Sequence, residues 1–115
     1  MNRLFHNPRC SKSRQTKELL ENEGASFEVV EYLKETPTAE DLKSIVSALG
    51  LASAHDLMRT KEDVYQDKNI AALKGNEDAL IEAMVENPIL IERPIFVSGN
   101  KAAVGRPPEN VLELI

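Results

Sequence analysis

The sequence predicts an α/β fold: a mixed four-stranded sheet flanked by helices, with a helical insertion at about residues 38–87. Three observations carry this. Near the N-terminus, two short strand-like segments are separated by one helical stretch, a βαβ arrangement that makes the strands parallel through a right-handed crossover. Near the C-terminus, two further strand-like segments flank the turn signal SGN, which predicts an antiparallel hairpin. Between the two halves the periodicity is helical.

Each element has a local reason. RLF (3–5) is apolar and is stopped by the turn-forming HNP, so it reads as a strand ending in a loop. Ser11 or Ser13 can cap the helix that follows, Leu19 and Leu20 face the core, and Gly24 ends it. SFEVVEYL (26–33) alternates and is rich in β-branched and aromatic residues, which predicts the second strand. Thr38 caps the next helix, with Glu40 and Asp41 in its first turn. Leu42, Ile45, Val46 and Leu49 form its buried stripe, and Gly50 stops it. Residues 53–86 are helical in shorter pieces, the last of them, NEDALIEAMVEN, opening on a capping box. PIFV (94–97) and KAAVG (101–105) form the hairpin. PPENVLELI closes the chain as a helix with proline in its first turn.

A chain of 115 residues fits one compact domain, 1–115, with a single core. Its 42% hydrophobic and 29% charged residues are ordinary globular composition. A net charge of −5 argues against nucleic-acid binding, although Arg9, Lys12, Arg14 and Lys17 form a local basic cluster. One cysteine excludes an internal disulfide framework and points to the cytoplasm. No signal peptide or membrane-spanning apolar run is expected.

That cysteine, Cys10, stands at the strand-to-helix junction. Unpaired N–H groups in a first helical turn stabilise an anion, so a thiol placed there is biased toward thiolate. Arg9, Lys12 and Arg14 add positive charge, and His6 adds more when protonated. The competing reading is a small buried hydrophobe. His6 also reads as a hydrogen-bonded structural residue, and His55 as a solvated or capping one. No Cys/His cluster has metal-ligand spacing, so no metal is expected.

Arg59 follows the pair Leu57–Met58, Arg93 interrupts the apolar PILIERPIFV, and Arg106 lies between a strand and a proline pair. Each guanidinium can bind a tetrahedral oxyanion through two parallel hydrogen bonds, or form an ordinary surface salt bridge. Arg93 asks most strongly for an anionic partner, because an unpaired charge beside a central strand is costly. Pro94, opening a strand, is a plausible site for a cis bond.

HNPRCSKSR, YLKETPT, LMRTKEDVY, NPILIERPIFV and GRPPENVLELI, in this order through nearly the whole chain, resemble the glutaredoxin-coupled arsenate reductases, closest to the short bacterial members. The resemblance implies a thioredoxin-like three-layer fold with a helical insertion. It implies Cys10 as the nucleophile that forms a covalent adduct with arsenate, and Arg59, Arg93 and Arg106 as oxyanion ligands. His6 and Ser13 match positions that support the cysteine loop and lower the thiol pKa. No bound cofactor is implied. Glutathione is the co-substrate and glutaredoxin the partner that releases arsenite. Two other readings share the fold: an Spx-type regulator binding RNA polymerase, and a glutathione-linked thiol reductase of another substrate. The former usually carries C-x-x-C, where this chain has C-S-K-S.

Overall fold

The computed structural model describes residues 2–115. The chain forms two compact units: Met1–Glu35 with Arg93–Ile115, and Thr36–Glu92. The second covers the stretch in which the sequence places its helical insertion, about 38–87.

In the first unit, β1 (Arg3–His6), α1 (Ser11–Asn22) and β2 (Glu28–Glu31) precede β3 (Ile95–Ser98), β4 (Lys101–Val104) and a closing 3₁₀ segment, Pro108–Leu114. The strand order is β2-β1-β3-β4. β1 is parallel to β2 and antiparallel to β3, and β3 is antiparallel to β4. This is the mixed four-stranded sheet that the βαβ unit and the hairpin predicted. The expected strand 26–33 is shorter in the structure. After Glu31 the chain turns, with Lys34 and Glu35 N–H both donating to the Glu31 carbonyl at 2.9 Å.

α1 ends as predicted. Gly24 takes φ 73°, its N–H reaches the Glu21 carbonyl and the Ala25 N–H reaches Leu20, each at 3.0 Å. That is the Schellman arrangement, which favours a glycine in the left-handed region. Leu4 and Phe96 are register partners and are fully buried together with Leu20 of α1 and Val111 of the closing segment. This cluster clamps α1 onto β1 and β3 and so holds the helix N-terminus in place. The closing helix is of the 3₁₀ kind and carries proline in its first turn, as expected. Asn110 uses its side-chain amide on the carbonyls of Val104 (3.3 Å) and Arg106 (3.1 Å).

In the second unit, α2 (Ala39–Ala48), α3 (Asp63–Asp67) and α4 (Glu77–Glu86) alternate with 3₁₀ segments at Ala54–Leu57, Ile70–Leu73 and Pro88–Leu90. α2 carries a complete capping box between Thr38 and Asp41. Leu42 and Ile45 are buried, whereas Val46 and Leu49 are half-buried. α4 lacks the box expected of it. Asn76 caps the Ala79 N–H, but position N3 is alanine and has no side chain to reciprocate. Leu80, Ile81 and Met84 of α4 bury against the surrounding segments.

Among the described residues no helix is long and apolar enough to cross a membrane.

Candidate active site

Between β1 and α1 the chain makes a tight, internally bonded turn. The Cys10 N–H donates to the Asn7 carbonyl, and the Arg9 N–H to Asn7 Oδ1, both at 3.0 Å. Arg14 Nη1 reaches back to the Pro8 carbonyl at 2.9 Å. Asn7 is thereby the organiser of the loop, almost fully buried. Sequence reasoning treated it only as turn chemistry, although the side-chain-to-backbone bond is what asparagine offers in such a turn.

Cys10 itself is the N-cap of α1, at φ −94° and ψ 124°. Neither Ser11 nor Ser13 fills that role. Ser11 is the first helical residue, and Ser13 is fully buried with its Oγ 2.6 Å from His6 Nδ1. The same oxygen accepts the Asn7 N–H at 3.0 Å. The Ser13 hydroxyl thus links the His6 ring to the backbone of the cysteine loop. Burial lowers the His6 pKa, and the nearby charges of Lys17 and Arg14 lower it further against the opposing pull of Glu31. The imidazolium that would add positive charge at the thiol is therefore disfavoured, and the ring pairs with the Ser13 hydroxyl in the first turn of the helix.

Burial raises the Cys10 pKa, but opposing effects outweigh it and hold the thiol below its ordinary value. The Ser13 N–H faces the sulfur, the Arg93 guanidinium adds a hydrogen bond and its charge, and the Lys12 N–H follows. Lys12 thus acts through its backbone rather than its ammonium. No side-chain capping bond of full geometry closes at Cys10, so the first-turn dipoles face a sulfur that is half-open to solvent.

Two of the predicted arginines converge on this thiol. Arg106 Nη2 lies 3.4 Å from Cys10 Sγ, and its Nε donates to the Arg93 carbonyl at 2.8 Å. Nε and Nη1 of Arg93 are shielded from water, which leaves its charge little screened beside the thiol. The Arg93–Pro94 bond is cis, as its position suggested, and so is Arg106–Pro107. Gly105 joins the two arginine segments. Its N–H donates to the Pro94 carbonyl at 2.9 Å, and a Cβ there would lie 2.7 Å from Pro94 Cγ and collide with Thr16. Only glycine fits.

Arg59 belongs to the insertion. Its Nε binds Glu62 Oε2 at 3.1 Å and its Nη1 binds Glu92 Oε1 at 2.8 Å. Much of its charge is thus answered by two carboxylates that the sequence reading had not paired with it. His55, expected to be solvated or capping, places Nε2 2.7 Å from the Tyr65 hydroxyl. Among the described residues no group of three or more His, Cys, Asp or Glu could hold a metal ion.

A mixed sheet that presents one activated thiol at the start of its first helix defines a thioredoxin-like protein of the single-cysteine kind. Comparison with known proteins narrows the class. The chain belongs to the ArsC family, whose family model matches residues 5–114. It is 49% identical over 109 residues to the arsenate reductase of Neisseria meningitidis serogroup B, covering 95% of this chain and 93% of that one. It is 51% identical over 113 residues to the Escherichia coli K12 protein YfgD, covering 98% and 95%. Among solved structures, an arsenate reductase from Vibrio cholerae superposes with a TM-score of 0.94 at 46% identity, covering 99% and 97% of the two chains.

Proposed function

We propose that this protein reduces arsenate to arsenite in the cytoplasm, with Cys10 as nucleophile and with glutathione and glutaredoxin supplying the two electrons. The observation that carries this reading is the convergence of Arg93 and Arg106 on the Cys10 sulfur. A thiolate attacking an arsenate anion meets charge repulsion, and two guanidinium groups beside the sulfur offset it in the transition state.

In the first step the thiolate attacks arsenic and an arsenate oxygen leaves as water, giving a Cys10–S–As(V) adduct without redox change. A glutathione thiol then displaces a second oxygen as water. A glutaredoxin thiolate attacks the glutathione sulfur, forming a mixed disulfide, and the As–S bonding pair stays on arsenic, which becomes As(III). Hydrolysis releases arsenite and restores Cys10. One protein cysteine suffices because both other sulfurs come from outside. No resident cofactor enters the cycle. Arg93 and Arg106 hold the oxyanion, while Pro94, His6 and Ser13 shape the loops that carry Arg93 and Cys10. Arg59 is the third oxyanion ligand by resemblance, and its guanidinium is engaged by Glu62 and Glu92.

The burial of Ser13 between His6 and Asn7 disfavours an Spx-like redox switch, since this position is occupied by a hydroxyl with a structural task. The test is NADPH consumption in the presence of glutathione reductase, glutathione, glutaredoxin and arsenate. Wild type turns over and Cys10→Ser does not, with its fold intact. Full activity in Cys10→Ser overturns the mechanism.

A further inference from the structure

Immediately beside the Cys10 loop lies a cleft of about 260 Å³ lined by His6, Asn7, Pro8, Arg9, Glu31, Leu33 and Lys34, all within the first unit. We propose that this cleft seats the glutathione tripeptide, its two carboxylates on Arg9 and Lys34 and its ammonium on Glu31. The inference rests on the reading that glutathione is the co-substrate.

The pattern of charge is the first argument. The lining carries two cations and one carboxylate, and near neutral pH glutathione carries two carboxylates and one ammonium, so number and sign are complementary. The positions are fixed by local structure. Glu31, Leu33 and Lys34 are set by the turn that ends β2, and Arg9 by the Asn7 side chain. The ion pair between Lys34 and Glu31 is long, 3.8 Å, and exposed, so a ligand displaces it at little cost.

Apolar surface is the second argument. Leu33 is 41% exposed, one of only two large hydrophobic side chains so exposed among the described residues. With Pro8 it gives the cleft an apolar floor beside its charges, the composition of a small-ligand site. The volume is slightly under the ~300–1,000 Å³ usual for such sites, which suits a tripeptide held along one side with its thiol outside. Position is the third argument. Arg9 directly precedes Cys10 in the chain, so the cleft borders the loop that carries the adduct.

A neighbouring cleft of about 450 Å³, lined by His6, Pro8, Arg14, Lys17, Glu18, Glu21, Val29 and Glu31, does not compete. It holds three carboxylates against two cations, and Lys17 is already paired with Glu21 at 3.2 Å. A net anionic peptide is repelled there.

The experiment is a titration of the intact chain with S-methylglutathione, followed by amide chemical shifts and without arsenate, so its outcome is independent of whether arsenate is turned over. The expected result is saturable shifts at Arg9, Leu33 and Lys34. Affinity falls at least ten-fold in Arg9→Glu/Lys34→Glu and at least ten-fold for the diethyl ester, and weakens as salt rises. Lys34→Arg retains binding. Absence of shifts at the cleft, or wild-type affinity in the double variant, would each overturn the assignment.

Discussion

Arg93→Met isolates the electrostatic work done on the Cys10 thiol. Methionine keeps an unbranched apolar stem in the place of the arginine stem and removes both the hydrogen bond to the sulfur and the charge beside it. A hydrogen bond involving a charged group contributes about 1.5–3 kcal/mol when shielded. Cys10 is only partly buried, so solvent screening brings the figure to the lower end. At 1.36 kcal/mol per unit, that is a rise of about one pH unit in the thiol midpoint. Below both midpoints the thiolate population then falls about ten-fold. The assay is the rate of alkylation by iodoacetamide, a neutral reagent, as a function of pH. The Ser13 and Lys12 N–H groups remain in the variant, so a residual depression below a free thiol persists. The same shift has a stability sign. The folded pKa lies below the unfolded one, so the contribution is present above the unfolded value and is lost as pH falls through the folded value. A midpoint within about 0.2 unit of wild type in Arg93→Met would falsify the assignment of Arg93 to the thiol, as a hydrogen bond of ~1.5 kcal/mol cannot vanish unnoticed.

The remaining predictions concern the loops that hold this geometry. Gly105→Ala forces a Cβ against Pro94 and Thr16 and is expected to cost about 1–3 kcal/mol by urea unfolding, as overpacked sites do. It also raises the alkylation midpoint, because the displaced neighbour Arg106 touches Cys10; unchanged values on both counts would show that the loop yields freely. His6 has a folded pKa below its unfolded value, so its contribution to stability is full above about pH 6.5 and declines as pH falls below that. Urea midpoints compared at pH 7 and pH 5 are expected to show a larger drop in wild type than in His6→Gln, and equal drops would mean that His6 charges freely in the folded state.

The order of elements was readable because each boundary has a local cause. Thr38 with Asp41, and Gly24 after α1, act through bonds that span a few residues. Strand lengths were not readable in this way. β2 stops at Glu31 because the chain turns there, although Tyr32 and Leu33 continue a good strand pattern. The buried face of α1 was only partly readable: Leu20 was expected there and is buried, Leu19 is half-buried, and the polar Ser13 and Thr16 complete the face. Their hydroxyls are satisfied by His6, Asn7 and the Lys12 carbonyl, partners that composition and periodicity do not reveal. At the site, the sequence singled out Cys10, Arg93 and Arg106, and the structure brings these together. It also singled out Arg59, whose carboxylate partner Glu92 lies 33 residues away and was invisible to local reasoning.

By itself the sequence determined that one thiol would sit at the start of the first helix of a mixed α/β sheet, with no second cysteine to resolve it. That follows from patterns of period two and 3.6 and from turn residues, all short-range. Tertiary structure alone decided the electrostatics. It lowered the His6 pKa by burying the ring, put Lys12 to use through its backbone N–H, and set Arg93 and Arg106 on the sulfur. Charge interactions depend on distance and on exclusion of water, and both quantities exist only once distant segments have packed.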